Sequence, residues 1–193
     1  MTAHTDRSWP QYLDALHASM QALSVRDLEG RELGPEGFSA LAELTCRVRQ
    51  AKGFCYLAGN GASASMASHF SADLAKNAGL RTMVFTDPAL LTALGNDMSY
   101  PDVFSEPVGW YMAEQDMLVL ISSSGNSPNV VAAASAARRQ GGAVVTLSAM
   151  GPDNALRSLG DLNFYVPAAT YGLAETAHAA ILHHWTDSMV RHP

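Results

Sequence analysis

The sequence predicts an α/β domain: a doubly wound, five-stranded parallel sheet with helices on both faces and extra helices ahead of the first strand. Three observations predict it. Short apolar runs of strand length alternate along the chain with segments of helical periodicity, as a parallel sheet with crossover helices requires. Two Gly/Ser turns, Gly59–Ser63 and Ser122–Ser127, each follow such a run and precede a helix. The chain has 193 residues, 48% hydrophobic and 16% charged, which suits one folded domain without an internal linker.

Taken in order, Trp9 to Leu23 repeats apolar residues at helical spacing, with Tyr12, Leu13, Leu16, Met20 and Leu23 near one stripe. Glu29 to Gly37 is rich in glycine and reads as a loop, and a second helix runs from Pro35 to about Gln50. These helices lie outside any βαβ unit, so they are expected to pack on the sheet and on a second subunit. Gly53–Ala58 is the first strand, Arg81–Phe85 the second, Met117–Ile121 the third, Ala143–Ser148 the fourth and Leu162–Val166 the fifth. Helices are expected over Ala64–Lys76, Pro88–Leu94 (ending at Gly95), Pro101–Ala113 with a distortion or break at Pro107, and Pro128–Gln140. A helical turn over Asn154–Leu159 and a closing helix over Gly172–Val190 complete the chain.

Composition excludes several roles. A formal charge of −6 with no cluster of Lys and Arg argues against nucleic acid as a partner. No run reaches the length of a membrane span, and the N-terminal stretch lacks the apolar core of a secretory leader, so the expectation is a cytoplasmic protein without a membrane anchor. Cys46 and Cys55 have neither metal spacing nor a disulfide framework and read as reduced thiols.

The stretch MLVLISSSGNSPN, Met117–Asn129, organises the functional reading. It is strand, polar turn and helix start in series, with Ser127 a good N-cap and Pro128 suited to the first helical turn. A helix N-terminus offers unpaired N–H groups and the positive end of a dipole, and serine hydroxyls add neutral donors, so phosphate is the natural guest. On pattern alone the stretch is equally a serine-rich turn with no ligand. In open sheets ligands sit beyond the carboxyl ends of the strands, where Gly59–Ser63 and Ser122–Ser127 should converge. Neither turn has a dinucleotide or NTP fingerprint.

Chemistry beyond binding needs other side chains. His69 and Asp73 are four apart on one helix and share a face. The last helix carries Glu175, His178, His183 and His184; at 100° per residue, Glu175 and His183 lie about 80° apart, two turns from each other. If both helices border the turns, one imidazole and carboxylate pair faces another, which suits a proton shuttle, a divalent metal site, or both. Each pair is by itself weak, a His and Asp four apart being more often a surface or capping interaction; His178 reads equally as a residue behind the site or a structural one, and His184 as a packing or surface residue.

With these residues assembled, the sequence resembles the sugar isomerase (SIS) domain family and, within it, the phosphoheptose isomerases, which act on sedoheptulose 7-phosphate. The resemblance rests on Gly59-Asn60-Gly61-Ala62-Ser63, His69-Phe70 with an acid at 73, Gly95-Asn96-Asp97 followed by Val103-Phe104-Ser105, and Ser122 through Val130, over about residues 9 to 190. It implies a homotetramer of flavodoxin-like domains, one SIS domain per chain, with about the first 50 residues aiding assembly and sites shared between subunits. It implies that Ser122, Ser123, Ser124 and Ser127 hold the phosphate, that Ser63 and Asp97 contact the sugar, and that Asn60 belongs to the same turn. Asp73 is the implied general base and His183 its partner acid, while His69, Asp73, Glu175 and His183 are the implied zinc ligands. The implied reaction is a ketose to aldose conversion through an enediol.

Three positions depart from the family. Asp73 stands for the usual glutamate, Glu175 for a glutamine that counts among the sugar contacts, and Gly172 for an aspartate. A base shortened by one methylene is displaced by ~1 Å, which costs on the order of a hundredfold in rate unless the site shifts to suit it. The expectation is therefore a zinc-using isomerase of sedoheptulose 7-phosphate or a related C7/C8 ketose phosphate with an altered sugar pocket. The alternative is a non-catalytic SIS protein that senses a phosphosugar or serves in assembly.

Overall fold

The structure, a computed structural model, describes residues 7–190. Its strands are β1 (Ser24–Asp27), β2 (Phe54–Gly59), β3 (Arg81–Val84), β4 (Met117–Ser122), β5 (Ala143–Ala149) and β6 (Leu162–Val166). Its helices are α1 (Trp9–Gln21), α2 (Glu36–Gln50), α3 (Ala62–Ala78), α4 (Pro88–Asp97), α5 (Asp102–Tyr111), α6 (Pro128–Arg139) and α7 (Tyr171–Val190), with a single 3₁₀ turn at Ala155–Ser158. The strands form one sheet in the order β1-β6-β5-β4-β2-β3. The five expected strands, β2 to β6, are all present and all parallel.

A sixth strand, β1, was not expected. It pairs antiparallel with β6 from Ser24↔Tyr165 to Asp27↔Leu162. Only Val25 of its four residues is buried, so the run is too short and too polar to stand out as periodicity. Its register is held locally: the Glu32 carboxylate accepts the Val25 N–H at 2.8 Å and the Ser24 hydroxyl at 2.7 Å. Charged side chains and a reversed partner finish the sheet edge without leaving a long free ladder.

Apolar residues alternate across the parallel strands into two cores. Met117, Val119 and Ile121 of β4 join Val145 and Leu147 of β5 beneath α2, α3 and α7, whereas Leu118 and Leu120 join Val144 beneath α5 and α6. The strands are buried on both faces, as a parallel sheet between helical layers demands. α5 runs unbroken through Pro107, which is buried. α4 continues past Gly95 and ends at Asp97. The amphipathic α1 places Tyr12, Ala15 and Leu16 against the core and leaves Trp9, Leu13 and Met20 exposed. Among the described residues no helix is long and apolar enough to cross a membrane. Both cysteines are free; Cys55 is buried and Cys46 half-buried.

Gly37, in the first turn of α2, allows β1 its place, because a Cβ there would lie 2.3 Å from Val25 Cγ1. Gly109, inside α5, faces open space. Gly109→Ala should therefore stabilise the fold by about 0.5–1 kcal/mol. Gly37→Ala should destabilise it by about 1–3 kcal/mol, since crowding of Val25 outweighs the gain in helix propensity. Denaturant unfolding of the two variants checks the opposite signs.

Candidate active site

The sheet order places β2 and β4 side by side while the chain leaves β2 first for β3 on one side and later returns to β4 on the other. This is the topological switch point, beyond which open α/β sheets bind ligands. Gly59, the last residue of β2, pairs with Ile121, and a Cβ on it would lie 2.7 Å from the Ile121 carbonyl oxygen and 2.6 Å from Ser63 Cβ. Glycine is required there for the two turns to meet. Between them lies a cleft of about 160 Å³ lined by Asn60, Ser63, Ser122, Ser123, Ser124 and Ser127, together with Tyr171 and Glu175 at the start of α7.

The turn after β4 is built for an anion. Ser127 is the N-cap of α6 and Pro128 its first residue, but the Ser127 hydroxyl makes no capping bond and lies 3.4 Å from Ser122 Oγ. The Gly125 N–H donates to Ser122 Oγ at 3.2 Å, and the Asn126 N–H to Ser124 Oγ at 3.3 Å. Gly125 has φ +64°, and a Cβ on it would lie 2.0 Å from Asn154 Oδ1. Asn154 and its neighbours brace the turn from behind: Leu156 N–H donates to the Gly125 carbonyl at 2.9 Å, and Ala155 N–H to Asn126 Oδ1 at 2.9 Å. No Lys or Arg is among the residues lining the cleft.

A second cluster lies farther along the same two helices, where α3 packs on α7. One ligand atom each of His69, Asp73 and His183 come within 4.8 Å of one another, a grouping able to hold a metal ion. His69 Nε2 is 3.4 Å from Asp73 Oδ2, and Lys76 Nζ is 3.8 Å from Asp73 Oδ1. The buried Phe70 ring meets His183 edge-on at 4.7 Å and His69 at 4.8 Å, fixing both imidazoles over an apolar base. His69 and His183 are exposed and Asp73 half-buried, so the cluster opens to solvent. The donors suit a borderline cation such as zinc, with a coordination position left open.

The structure thus brings together three of the four expected metal ligands, and Glu175 stands at the phosphate cleft. Asp97 is not among the residues lining the cleft: it ends α4, exposed, with its carboxylate accepting the Asn96 amide at 2.7 Å. At Gly172 a Cβ would lie 3.3 Å from the Tyr12 hydroxyl, so α1 takes up part of the space that a side chain there would fill. His184 packs edge-on to Phe38 at 4.7 Å, the packing role expected. Asn129 was missed as a site residue. It is buried at the start of α6 and bonded to Asn60, and its one signal in the sequence was a polar residue among apolar ones just inside a helix.

These features define an α/β domain with a cleft of hydroxyls and amides at its topological switch point. Residues 11–149 match the SIS domain, and the chain belongs to the SIS domain family. Within that family it is similar to a phosphoheptose isomerase of Shewanella sp. (strain ANA-3), 30% identical over 172 residues that span 85% of this chain and 87% of the relative. The solved phosphoheptose isomerase of Neisseria gonorrhoeae superposes with a TM-score of 0.81 at 28% identity, over 93% of this chain and 96% of that one. A phosphoheptose isomerase from Francisella tularensis shares the fold, with a TM-score of 0.78 at 24% identity, over 93% of this chain and 92% of that one.

His178 lies one turn beyond Glu175 on α7 and is wholly buried. Among the described residues neither ring nitrogen has a well-formed hydrogen bond. Burial, opposed only weakly by the nearby Ser148 main chain, pushes its pKa down to about 4. The unfolded chain takes up a proton at this residue near pH ~6.5, where the folded chain does not. Stability is therefore full above that pH and falls as the pH is lowered toward about 4. His178→Gln should remove about one proton, or about 1.4 kcal/mol per pH unit, from the slope of unfolding free energy across this window. Urea unfolding at a series of pH values measures that slope.

Proposed function

We propose that the chain is a phosphosugar ketose–aldose isomerase acting on sedoheptulose 7-phosphate or a closely related C7/C8 ketose phosphate through an enediol. The observation that carries this reading is the separation of two sites along one helix. Glu175 at the anion cleft and His183 in the imidazole–carboxylate cluster are two turns apart, about 12 Å of helical rise. An open-chain sugar of about seven carbons spans such a distance, with its phosphate in the serine turn and its carbonyl end at the cluster.

In this reading Ser122, Ser123, Ser124 and Ser127 hold the phosphate, and Asn60, Ser63, Asp97 and Glu175 order the sugar hydroxyls. Asp73 takes a proton from C1 of the ketose while His183 gives one to the C2 oxygen, forming the enediol. Asp73 then returns a proton to C2 and His183 removes one from the C1 oxygen, giving the aldose. His69, Asp73 and His183 would hold a zinc ion, and Glu175, two turns away at the cleft, would serve the sugar instead of the metal. Such an ion would polarise the substrate oxygens and stabilise the negative charge that develops on them. The donor set supports it, and so does electrostatics: a phosphate dianion beside Glu175 in a cleft lined by no Lys or Arg is relieved by a nearby cation.

The exposed Trp9, Leu13 and Met20 on α1 favour a homotetramer, in which the single SIS domain of each chain uses its first fifty or so residues for assembly. Asp97, outside the cleft lining, would then reach a sugar at a site completed between subunits. A cytoplasmic location goes with this reading.

Purified protein is expected to carry about one zinc per chain and to convert sedoheptulose 7-phosphate to an aldose. Chelation should abolish turnover and added zinc restore it; full activity after chelation would remove zinc from the mechanism. If zinc-loaded protein leaves a panel of C6 to C8 ketose phosphates unchanged, the catalytic reading is wrong. His183→Ala should reduce turnover by at least about a hundredfold while calorimetry still detects phosphosugar binding.

A further inference from the structure

Asn60 and Asn129 face each other across the junction of the two turns and exchange amide hydrogen bonds. Asn60 Nδ2 donates to Asn129 Oδ1 at 2.9 Å, and Asn129 Nδ2 donates to Asn60 Oδ1 at 2.8 Å. Such a pair could form equally well with both amides flipped, so something outside it must choose the orientation. One further bond does so, and a second then follows from the orientation it fixes. The Val130 main-chain N–H, which can only donate, points at Asn129 Oδ1 at 3.0 Å. The Tyr100 hydroxyl donates to Asn60 Oδ1 at 3.1 Å.

The consequence falls on the cleft. With Asn60 Oδ1 occupied by two donors, its Nδ2 is fixed as the opposite edge of the amide. One hydrogen of that nitrogen is used on Asn129; the other is left for a ligand oxygen, and Asn60 lines the cleft. Tyr100 itself is not among the cleft-lining residues. Tyr100 is 61% exposed, in the segment between α4 and α5 that follows Asp97. An exposed tyrosine that spends its hydroxyl on a site amide acts through that amide.

We propose that Tyr100 and Asn129 are positioning residues that lock the Asn60 amide with an N–H directed at the sugar phosphate, so that Tyr100 sets ligand affinity without touching the ligand. The inference rests on the phosphosugar reading of the cleft, but the lock itself exists in the free protein and can be measured there.

The experiment is a double-mutant cycle on full-length protein, with Tyr100→Phe, Asn60→Ala and the pair, and a ligand-free NMR measurement of the Asn60 side-chain amide. Tyr100→Phe removes one hydroxyl from an exposed ring, so the melting temperature should fall by no more than about 2–4 °C. Affinity for sedoheptulose 7-phosphate should fall about three- to tenfold, the range for one neutral hydrogen bond, with KM rising to match and kcat within about twofold. In the Asn60→Ala background Tyr100→Phe should have no further effect. Hydrogen exchange at the Asn60 side-chain amide should be several-fold faster in ligand-free Tyr100→Phe than in the natural protein. Additive losses in the cycle would mean that Tyr100 acts on the ligand independently of Asn60, and would overturn the proposal. Unchanged amide exchange would overturn it as well, even if the natural protein binds no sugar phosphate, an outcome that would count separately against the phosphosugar reading.

Discussion

The site depends on how closely the carboxyl ends of β2 and β4 approach. Gly59 leaves no room for a side chain between the Ile121 carbonyl and Ser63, so α3 begins directly against the end of β4. Any Cβ at this position would push the first turn away from the second and open the cleft between them. The reciprocal Asn60–Asn129 pair closes the same junction from above, tying the residue after β2 to the second residue of α6. Behind the second turn, Asn154 and Leu156 fill the space under Gly125, whose left-handed backbone carries the chain around the anion site. The cleft is therefore held on two sides by contacts that tolerate little displacement.

In the proposed function, a rigid cleft of hydroxyls and amides lets a chain with net charge −6 take a phosphate with no basic side chain in the cleft lining. The N-termini of α3, α6 and α7 all border it: Ser63 lies in the first turn of α3, Ser127 caps α6, and Tyr171 opens α7. Each helix start adds about half a positive charge in dipole terms and unpaired N–H groups, and these do not reorganise when an anion arrives. Preorganised neutral donors favour a small, well-placed phosphoester over a polyanion, which would need mobile charge spread over a surface. Glu175 on the rim sharpens this selection, since it penalises any anion that does not bring or meet a compensating cation.

The parallel strands and both turns were legible because they use the strongest signals a sequence has: apolar runs buried on two faces, punctuated by glycine, serine and proline. β1 was not, because an edge strand of four residues with one buried side chain is stabilised by pairing with β6 and by Glu32, neither of which is local periodicity. The end of α4 was misplaced at Gly95, since a glycine in a helix is a weak stop unless the chain also needs positive φ there, and only open space lies beside it. Within the site, the serines and the His69–Asp73 pair could be read from spacing along one element. Tyr100 and Asn129 could not, because their roles exist only in the bonds they make to Asn60 across different elements. Glu175 sits between the two kinds: its helix and face were predictable, but its place at the anion cleft depends on where α7 starts relative to the sheet.

α7 divides the work of the groove. Its N-terminal end supplies Tyr171 and Glu175 to the cleft, and His183, two turns beyond Glu175, meets His69 and Asp73, with the buried His178 between them. A helix is stiff over this length, so the distance from the phosphate handle to the reactive cluster is set by backbone geometry and not by side-chain choice. In the proposed reading the serine turn is intact, while Asp73, Gly172 and Glu175 stand where the resemblance implies a glutamate, an aspartate and a glutamine. The Tyr12 hydroxyl would lie 3.3 Å from a Cβ at Gly172, so α1 takes up part of the space a side chain there would fill.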